Sequence, residues 1–522
     1  ICSKMSVLFY IFVSCISLVK FSNTARILAV FPTPSISHQV VFRPITQELA
    51  KRGHDVVVIT PNPAFANGAK LANLTEIDVH DISYKIWREK VMIMTTGSSD
   101  DFITQLEVIL EATYLAVEAQ LQDEQVQSLL RDKEQKFDLI LSEACARSTL
   151  IYSHFFKAPV IQVSSFYAVI DNYPTIGAPS HPFLYPEISS KKTLNLTCWE
   201  KISLLYFQYK TINLYEDIKK REDEMLVKNF GSDIPTLNDL NNNVHMLFLN
   251  VHPMFKGIRP VPPSVIYMGG LHQNPEKDLP TDLKTYLDLS KRGVIYISFG
   301  TNVDPSLLPP EKIQTLVRVF SKLPYDVLWK WNNDELPGRT DNIKISKWLP
   351  QSDLLRHPNI KLFITQGGLQ STDEAITAGV PLIGIPMLGD QWYNVERYVH
   401  HKIGIQIDLD DLDEEKFSNA INTILGDESY RRNIVKLREL MHDEPMRPLD
   451  RAIWWTEYVL RHGGAKHLRS PAANITWTEY LELELIYTVL AILFVSFMLL
   501  VLFIRSVYFL VKNYVSVKIK RA

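Results

Sequence analysis

Apolar and polar positions in the first half of the chain follow two alternating periods. Short continuous apolar runs, bounded by Gly, Pro or Ser, predict buried strands, and longer stretches with apolar residues every three or four positions predict amphipathic helices. The predicted strands are 26–31, 56–60, 137–142 and 160–164, and the predicted helices are 38–52 and 147–157. Continuous apolar strands separated by helices are typical of a parallel sheet that is covered on both faces.

A second region with the same pattern begins at Gly293. Its predicted strands are 294–300, 326–331, 342–346, 361–365 and 381–386, with a helix at 310–323. The stretch 252–280 is rich in proline and contains Gly269-Gly270, which is typical of a connection. Residues 191–239 have a mostly helical pattern, and it remains open whether they form a lid, the wall of a site, a loop or an insertion. The chain is therefore predicted to contain two α/β domains that face a cleft.

Both ends of the chain carry an apolar stretch outside this α/β pattern. Residues 7–19 are apolar and lead into the small polar run 22–25, which predicts a cleaved signal peptide at 1–25. Residues 486–504 are apolar and uncharged, and their length predicts a membrane-spanning helix at 485–505. Acidic residues precede this span and basic residues follow it. The positive-inside rule therefore places the tail 506–522 in the cytosol and the body in the lumen.

Short motifs agree with a place in the endoplasmic reticulum membrane. Asn73, Asn195 and Asn474 each begin an Asn-x-Thr glycosylation sequon on the predicted lumenal side. Lys518 and Lys520 stand five and three places from the end, as in a dilysine retrieval signal. An ordinary basic tail beside a membrane is the alternative. We predict a single-pass membrane protein with a lumenal body.

Composition narrows the functional classes. Acidic residues number 58 and basic residues 55, without a basic block interleaved with aromatics, so no nucleic-acid partner is expected. Cys145 and Cys198 are the cysteines outside the predicted signal peptide, and their spacing fits no metal motif. They are interpreted as two unlinked thiols, with a disulfide in an oxidising lumen as the alternative. The motifs GxGxxG, Walker A and HExxH do not occur, and no metal site is predicted.

The stretch from Trp348 to Gln391 carries the most chemistry, and reads WLPQSDLLRHPNIKLFITQGGLQSTDEAITAGVPLIGIPMLGDQ. An indole offers a flat face to a base. The turn Gly367-Gly368 opens a predicted helix, whose N–H groups and partial positive charge can bind a diphosphate. The pair Asp390-Gln391 can bind sugar hydroxyls. The stretch is therefore interpreted as a nucleotide-sugar site.

This stretch, together with the N-terminal pattern SH followed by RGHDVVVITP, closely resembles the UDP-glycosyltransferases of the UDP-glucuronosyltransferase family, and invertebrate members in particular. The resemblance covers nearly the whole chain. It implies a GT-B fold, in which two Rossmann-like domains face a cleft, followed by the transmembrane helix. It also implies a UDP-sugar co-substrate, a small lipophilic acceptor, inversion at the anomeric carbon, and no need for a metal or other cofactor.

The resemblance gives the predicted regions their roles. Residues 26–251 are expected to form the acceptor-binding domain, 252–280 a linker, and 281–445 the UDP-sugar-binding domain. A C-terminal helix and juxtamembrane segment follow at 446–484, before the membrane span. The sequence leaves the oligomeric state open, including homo- and hetero-oligomers.

The resemblance also assigns donor-binding residues. Trp348 corresponds to a tryptophan that stacks on the uracil ring, with Gln351 beside it. Glu374 is expected to hold the ribose hydroxyls, although Ser371-x-x-Glu374 is also a capping-box pattern. The residues expected at the phosphates are Thr301, Gln366, Gly367, Gly368, Gln370 and Ser371, and those expected at the sugar hydroxyls are Asp390 and Gln391.

Two residues of the first domain are the predicted catalytic pair. The transfer needs a base for the acceptor hydroxyl, and an imidazole can accept that proton near neutral pH, which favours His38 at a helix start. Glu143 ends a predicted strand at the edge where ligands gather, and is expected to orient His38. Relatives often carry aspartate there, so the distance between the longer Glu143 and His38 depends on the fold. Without the resemblance, His38 would be interpreted as a surface or capping residue and Glu143 as an exposed acid.

Gln366 bears on the choice of sugar. Many relatives carry histidine at this position, and the amide can donate a hydrogen bond but cannot become cationic. This departure resembles invertebrate members, which generally use UDP-glucose, so UDP-glucose is favoured over UDP-glucuronate. Detoxification of lipophilic compounds is the predicted role. The alternatives are an endogenous membrane lipid or steroid as acceptor, and a catalytically silent lipophile-binding protein.

Overall fold

A computed structural model describes residues 24–65, 71–91, 102–273, 275–301, 303 and 305–521 of the chain. The predicted signal peptide at 1–25 therefore lies almost wholly outside the described residues. The chain divides after Ser470 into two units. The first unit contains both α/β domains, and the second, Pro471–Ala522, contains the predicted membrane span.

The first domain is built on a seven-stranded parallel sheet. Its strands are β1 Arg26–Val30, β2 Asp55–Thr60, β3 Leu74–Asp78, β4 Leu139–Glu143, β5 Val160–Ser164, β6 Val244–Leu249 and β7 Val265–Tyr267. They lie in the order β3-β2-β1-β4-β5-β6-β7, and every pair is parallel. The winding direction reverses between β1 and β4, and in sheets of this kind ligands bind outside the carboxyl ends at that point.

The second domain repeats this arrangement with six strands. They are β8 Val294–Ser298, β9 Asp326–Lys330, β10 Ile343–Ser346, β11 Ile360–Thr365, β12 Leu382–Gly384 and β13 Gly404–Gln406. Their order is β10-β9-β8-β11-β12-β13, again with parallel pairs. The reversal lies between β8 and β11, which are therefore the strands expected to deliver a ligand-binding loop.

Helices connect the strands. In the first domain and its connection these are α1 Ile36–Lys51, α2 His80–Lys90, α3 Phe102–Leu121, α4 Glu124–Arg131, α5 Ile151–Phe156, α6 Asn172–Ile176, α7 Cys198–Phe230, α8 Leu237–Leu240 and α9 Pro253–Lys256. The second domain and the chain that follows contain α10 Thr281–Leu289, α11 Pro310–Ser321, α12 Gln351–Leu355, α13 Leu369–Ala378, α14 Gln391–His400, α15 Glu414–Gly426, α16 Ser429–His442, α17 Pro448–Arg461, α18 Trp477–Tyr480 and α19 Leu483–Arg521.

Burial explains why these residues form strands and why α17 returns to the first domain. Strands β4, β5, β6 and β8 are buried along their whole length, as expected for a sheet covered on both faces. Ile453 and Val459 of α17 belong to the same core as Ile27 of β1. Arg52 at the end of α1 donates a hydrogen bond of 3.2 Å to Glu457 of α17. The late helix therefore covers a face of the first sheet.

The stretch predicted as a linker, 252–280, contains more structure than expected. Helix α9 lies within it, and β7 pairs with β6 in the register Leu247↔Val265 to Leu249↔Tyr267. The first sheet therefore continues to Tyr267. The prolines that marked the stretch as a connection lie before and after β7, and none falls within it, so Val265–Tyr267 are free to form ladder hydrogen bonds.

The mostly helical stretch 191–239 is dominated by α7. Thr197 begins it with a capping box, in which its hydroxyl accepts from the Glu200 N–H and the Glu200 side chain accepts from the Thr197 N–H. Thr211 and Tyr215 of α7 line the large cavity described below, so the helix forms part of a site wall. Cys198 and Cys145 are both free thiols, which confirms the interpretation of two unlinked cysteines.

The second unit consists of α18 and the long helix α19. Within α19, residues Leu483–Val517 have the length and composition of a membrane span, which is longer than the predicted 485–505. One apolar C-terminal helix that can cross a membrane is therefore present. The endoplasmic reticulum location, the lumenal orientation and the dilysine signal stay predictions.

The three sequon asparagines share a backbone feature. Asn73, Asn195 and Asn474 all have positive φ, of 62°, 51° and 62°. Asn73 and Asn195 are exposed and Asn474 is half-buried. Glycosylation at these positions stays a prediction.

Candidate active site

A cavity of about 530 Å³ lies between the carboxyl edges of the two sheets. Loops that follow β1, β4 and β5 of the first sheet reach it, as do loops that follow β8, β10, β11 and β12 of the second. The predicted site residues on its wall are His38, Thr301, Trp348, Gln351, Gln366, Gly368, Gln370, Ser371, Glu374, Asp390 and Gln391. The remaining two predicted residues, Glu143 and Gly367, lie behind this wall. The fold thus brings the predicted acceptor and donor residues into one cleft.

The loop between β1 and α1 positions His38. Its neighbour Gln39 is buried, and the Gln39 amide donates to the carbonyls of Phe31 at 3.1 Å and Thr33 at 3.2 Å. The hydroxyl of Thr60 donates in turn to the Gln39 side chain at 2.9 Å. These bonds hold the loop against the sheet, so His38 lies in the first turn of α1 with its ring at the cavity wall.

His38 and Glu143 form a direct hydrogen bond. The pairing of Val30 with Ser142 places the ends of β1 and β4 side by side. Nδ1 of His38 lies 2.6 Å from Oε1 of Glu143, which is 1% exposed. The backbone N–H of Thr33 donates to the other carboxylate oxygen at 3.1 Å. The longer glutamate therefore reaches the imidazole. With the carboxylate as acceptor, Nδ1 carries the hydrogen and Nε2 keeps a lone pair, as in a base that a carboxylate orients.

The turn from β11 into α13 has the geometry of an anion site. Gly367 has φ of +93°, and a Cβ there would lie 2.5 Å from Val395 Cγ2, so only glycine fits. Gly368 is the N-cap of α13, and no side chain of the described residues caps this helix. The first backbone N–H groups of α13 are therefore available to phosphate oxygens, and the helix dipole favours negative charge there.

A second tight turn, after β8, packs against the first. Gly300 has φ of +74°, and a Cβ there would lie 2.6 Å from Nε2 of Gln366. Gln366 is buried, and its Oε1 has no hydrogen-bond partner among the described residues. Thr301 follows on the exposed side of the turn and lines the cavity. Both turns therefore place neutral groups beside the expected diphosphate position.

Gln351 connects the residues expected at the ribose. Its Nε2 donates to the Ser371 hydroxyl at 2.8 Å and to Glu374 Oε2 at 2.7 Å, and the hydroxyl of Tyr296 donates to its Oε1 at 2.9 Å. Trp348 is 67% exposed at the cavity, so its ring is free to stack. The arrangement leaves Glu374 beside the place where a stacked nucleoside would put its ribose.

The capping-box alternative for Glu374 is wrong. The helix begins one residue after Gly368, so Ser371 and Glu374 both lie inside it. Burial raises the pKa of Glu374 to about 7, while the hydrogen bond from Gln351 and the charge of Arg356 oppose this rise. Glu374 therefore changes charge near neutral pH.

The pair Asp390-Gln391 opens α14. Burial raises the pKa of Asp390 to about 6, against the hydrogen bond of 2.9 Å that the Asn394 amide donates to it and the nearby charge of His38. The amide oxygen of Gln391 accepts from the N–H groups of Met387 and Leu388, each at 2.8 Å. Asp390 therefore faces His38 across the cleft, and Gln391 fixes the turn that carries it.

Asn394 is a positioning residue that the sequence analysis missed. Its amide donates to the Gly367 carbonyl at 2.8 Å as well as to Asp390, and its oxygen accepts from the Tyr167 hydroxyl of the first domain at 2.5 Å. One side chain thus joins the glycine turn, the sugar-side acid and the other domain. Asn394 could have been predicted from the sequence, because it lies four residues after Asp390 and therefore on the same helix face.

Gln370 was expected at the phosphates, but its side chain contacts the first domain. The Gln370 amide donates across the cleft to the Ser165 carbonyl at 3.0 Å and the Ser37 carbonyl at 3.4 Å, so it joins the two domains. Lys330 ends β9 at the cavity and donates to the Gly300 carbonyl at 2.5 Å. The sequence analysis did not identify Lys330, although it lies at the end of a predicted strand as Glu143 does, and ligands bind at the carboxyl ends of parallel strands.

Comparisons with known proteins show the family. A profile of the family described as UDP-glucoronosyl and UDP-glucosyl transferase matches residues 26–521. The chain belongs to the UDP-glycosyltransferase family. It is 36% identical over 498 residues to an ecdysteroid UDP-glucosyltransferase of Spodoptera littoralis nuclear polyhedrosis virus, covering 91% of this chain and 96% of that protein. It is 33% identical to UDP-glucosyltransferase 2 of Dactylopius coccus, covering 93% of this chain and 94% of that protein.

Solved structures confirm the predicted GT-B fold. A UDP-glucose:anthocyanidin 3-O-glucosyltransferase in complex with UDP aligns with a TM-score of 0.57 and 17% identity, over 85% of this chain and 100% of that one. The glycosyltransferase of kitacinnamycin aligns with a TM-score of 0.56 and 19% identity, over 84% of this chain and 99% of that one. The predicted enzyme class, a UDP-glycosyltransferase, is confirmed by the family match.

Replacing Gly367 with alanine should destabilise this UDP-glycosyltransferase. The new methyl would collide with Val395, and we expect a loss of about 1–3 kcal/mol in unfolding free energy, seen as a lower Tm. Gly389→Ala is the matched control, because Gly389 also has positive φ, of +58°, but a Cβ there meets nothing within 4 Å. Equal Tm values for the two variants would contradict the steric argument.

Donor binding by the glycosyltransferase should weaken as the pH falls through about 7. Glu374 accepts hydrogen bonds best as a carboxylate, and its raised pKa means that protonation occurs in this range. Calorimetry should show a Kd for UDP-glucose about tenfold higher near pH 6 than near pH 8. Glu374→Gln should bind more weakly near pH 8 and lose most of this pH dependence. If the Kd of Glu374→Gln for UDP-glucose kept the wild-type pH dependence, Glu374 would be excluded as the group responsible.

Proposed function

We propose that the protein is an inverting UDP-glucosyltransferase that moves glucose from UDP-glucose to a hydroxyl of a small lipophilic acceptor. The observation that carries the proposal is the bond between His38 and Glu143, beside the same cavity that Gly368 of the glycine turn lines. A base with an orienting carboxylate and a diphosphate site are the two parts that such a transfer needs.

In the proposed reaction the acceptor hydroxyl gives its proton to Nε2 of His38. The acceptor oxygen forms a bond to C1 of glucose as the bond from C1 to the diphosphate oxygen breaks, and the configuration at C1 inverts. Glu143 stabilises the imidazolium that forms. UDP leaves with the electron pair of the broken bond. The N–H groups at the start of α13 and the amide of Gln366 stabilise its negative charge, so the proposed chemistry requires no metal.

Charge on the cavity wall supports glucose over glucuronate. The acids Asp390, Glu374 and Glu187 line the cavity, and among the described lining residues Lys330 is the one lysine or arginine. Lys330 lies beside the Gly300 turn, on the side of the expected diphosphate. A glucuronate carboxylate would therefore meet Asp390 without a cation to offset the repulsion. The two curated relatives above are both named as glucosyltransferases.

The acceptor half of the cavity is apolar. Its described apolar lining residues come mainly from α1, α2, α3 and the loops after β5, and include Ile36, Val40, Trp87, Val91, Phe102, Leu106, Ile109, Leu110, Phe166, Val169, Ile170 and Ile188. Such a wall favours a lipophilic acceptor through burial of apolar surface. We propose detoxification of lipophilic compounds as the role.

A steroid acceptor is the second candidate. The viral relative is named as an ecdysteroid glucosyltransferase, and an endogenous steroid or membrane lipid would use the same chemistry. A silent lipophile-binding protein would have no use for the buried bond between His38 and Glu143, so the proposal favours an enzyme. The proposed setting is the lumenal face of the endoplasmic reticulum membrane.

His38→Ala should abolish transfer while donor binding survives. Loss of a general base is expected to lower kcat by about 10²- to 10⁴-fold, whereas the UDP site lies in the other domain. Activity is measured with the full chain in microsomes, and donor binding by calorimetry. Trp348→Ala is the contrasting variant, because it should raise the donor KM and leave kcat much less affected. Unchanged turnover in His38→Ala would overturn the base assignment.

Donor choice is tested by a UDP-release assay on microsomes. UDP-glucose and UDP-glucuronate are each crossed with phenols, flavonoids and steroids, including an ecdysteroid. We expect release with UDP-glucose at least about tenfold above that with UDP-glucuronate, since one unfavourable charge contact costs about that factor. Preference for UDP-glucuronate would overturn the sugar assignment. Absence of release above background with every pair would favour the binding-protein alternative.

A further inference from the structure

A third potential metal ligand lies beside the His38–Glu143 pair. The thiol of Cys145 donates to Oε1 of Glu143 at 3.5 Å, which is the same oxygen that contacts Nδ1 of His38 at 2.6 Å. One ligand atom from each of the three side chains lies within 4.8 Å of the others. The proposed transfer gives the thiol no task.

The placement of Cys145 follows from the fold. It stands two residues after Glu143, in the turn that leaves β4, and it lines the cavity wall. The hydroxyl of Thr33 lies 3.9 Å from its sulfur, while the N–H of Thr33 holds the far oxygen of Glu143. The three ligands are therefore held at the end of the first sheet and on its neighbouring loop.

The ligand set fits a zinc-like cation. Thiolate, imidazole and carboxylate are the three side-chain types that bind Zn²⁺, at about 2.0–2.3 Å, and ligands of one zinc ion lie roughly 3–4 Å apart. The observed group needs His38 and Glu143 to separate by about 1 Å to reach that spacing. Three protein ligands leave a fourth position of a tetrahedral site for water.

We propose that these three side chains form an inhibitory site for a soft divalent cation such as Zn²⁺. The cation binds Nδ1 of His38, Oε1 of Glu143 and Sγ of Cys145, and takes the place of the hydrogen that His38 and Glu143 share. The protons on Nδ1 and on the thiol are released to solvent. A metallated imidazole held in this way no longer has Glu143 to stabilise the imidazolium, so transfer stops.

The site predicts metal selectivity. A thiolate and an imidazole favour zinc, cadmium and cobalt over magnesium and calcium, which prefer oxygen ligands. The inhibitory role of the site rests on the proposed transfer activity, because the cation acts on the base His38. Binding of the cation itself does not depend on that activity. The two are therefore measured separately.

Binding is tested with Co²⁺ on the purified full chain in detergent, because a bound thiolate gives cobalt a charge-transfer absorption band. We expect the band in the wild type and in Cys198→Ala, the matched control for an exposed free thiol. Cys145→Ala and Cys145→Ser should both lose it while keeping the wild-type Tm. A band of wild-type strength in both Cys145 variants would overturn the site, whether or not the protein shows transferase activity.

Inhibition is tested with Zn²⁺ in the UDP-release assay, with each variant normalised to its own metal-free rate. We expect the half-inhibitory Zn²⁺ concentration to rise at least about tenfold in Cys145→Ala and Cys145→Ser, the factor typical of a weakened metal site. Cys198→Ala should match the wild type, and Mg²⁺ should not inhibit. Equal zinc sensitivity of the Cys145 variants and the wild type would overturn the inhibitory role.

Discussion

The parallel direction of every strand pair in both sheets is the constraint on which the site depends. Parallel strands bring their carboxyl ends to one edge, so loops that are far apart in sequence meet there. Val30 pairs with Ser142, which sets the His38 loop beside Glu143, although more than 100 residues separate them. In the second sheet the same rule gathers the Gly300 turn, Lys330 and the glycine turn at Gly367. The chemistry of the cleft is thus a consequence of strand direction.

The cleft combines neutral hydrogen-bond donors at the diphosphate position with buried acids on its wall. Backbone N–H groups and the Gln366 amide lie at the expected diphosphate position, and among the described lining residues Lys330 is the one lysine or arginine beside them. Burial raises the pKa of Glu374 to about 7 and the pKa of Asp390 to about 6, so both acids titrate close to neutral pH. Glu143 is held differently, between the Thr33 N–H and the imidazole, and these two donors keep its carboxylate oriented. In the proposed reaction Glu374 and Asp390 contact the donor, and their charge depends on pH. Glu143 contacts His38 instead, and its hydrogen bonds fix its orientation.

Local pattern was sufficient for the sheets and for the glycine turn, because buried parallel strands are continuous apolar runs and a helix start needs glycine where backbone must approach an anion. The strand at Val160–Ser164 and the helix after Gly368 show this. Pattern was insufficient for β7, whose three residues are hidden among prolines. It also could not assign Gln370, because a hydrogen bond to Ser165 exists only when the two domains meet.

The two α/β domains, the nucleotide-sugar stretch from Trp348 to Gln391 and an apolar C-terminal helix could be predicted from the amino-acid sequence. These features depend on composition and spacing over neighbouring residues. Tertiary structure alone decided that Glu143 reaches His38, that Asn394 joins the glycine turn to Asp390, and that Cys145 stands beside the catalytic pair. Those distances depend on strand order and side-chain packing between segments far apart in the chain, and no local pattern encodes them.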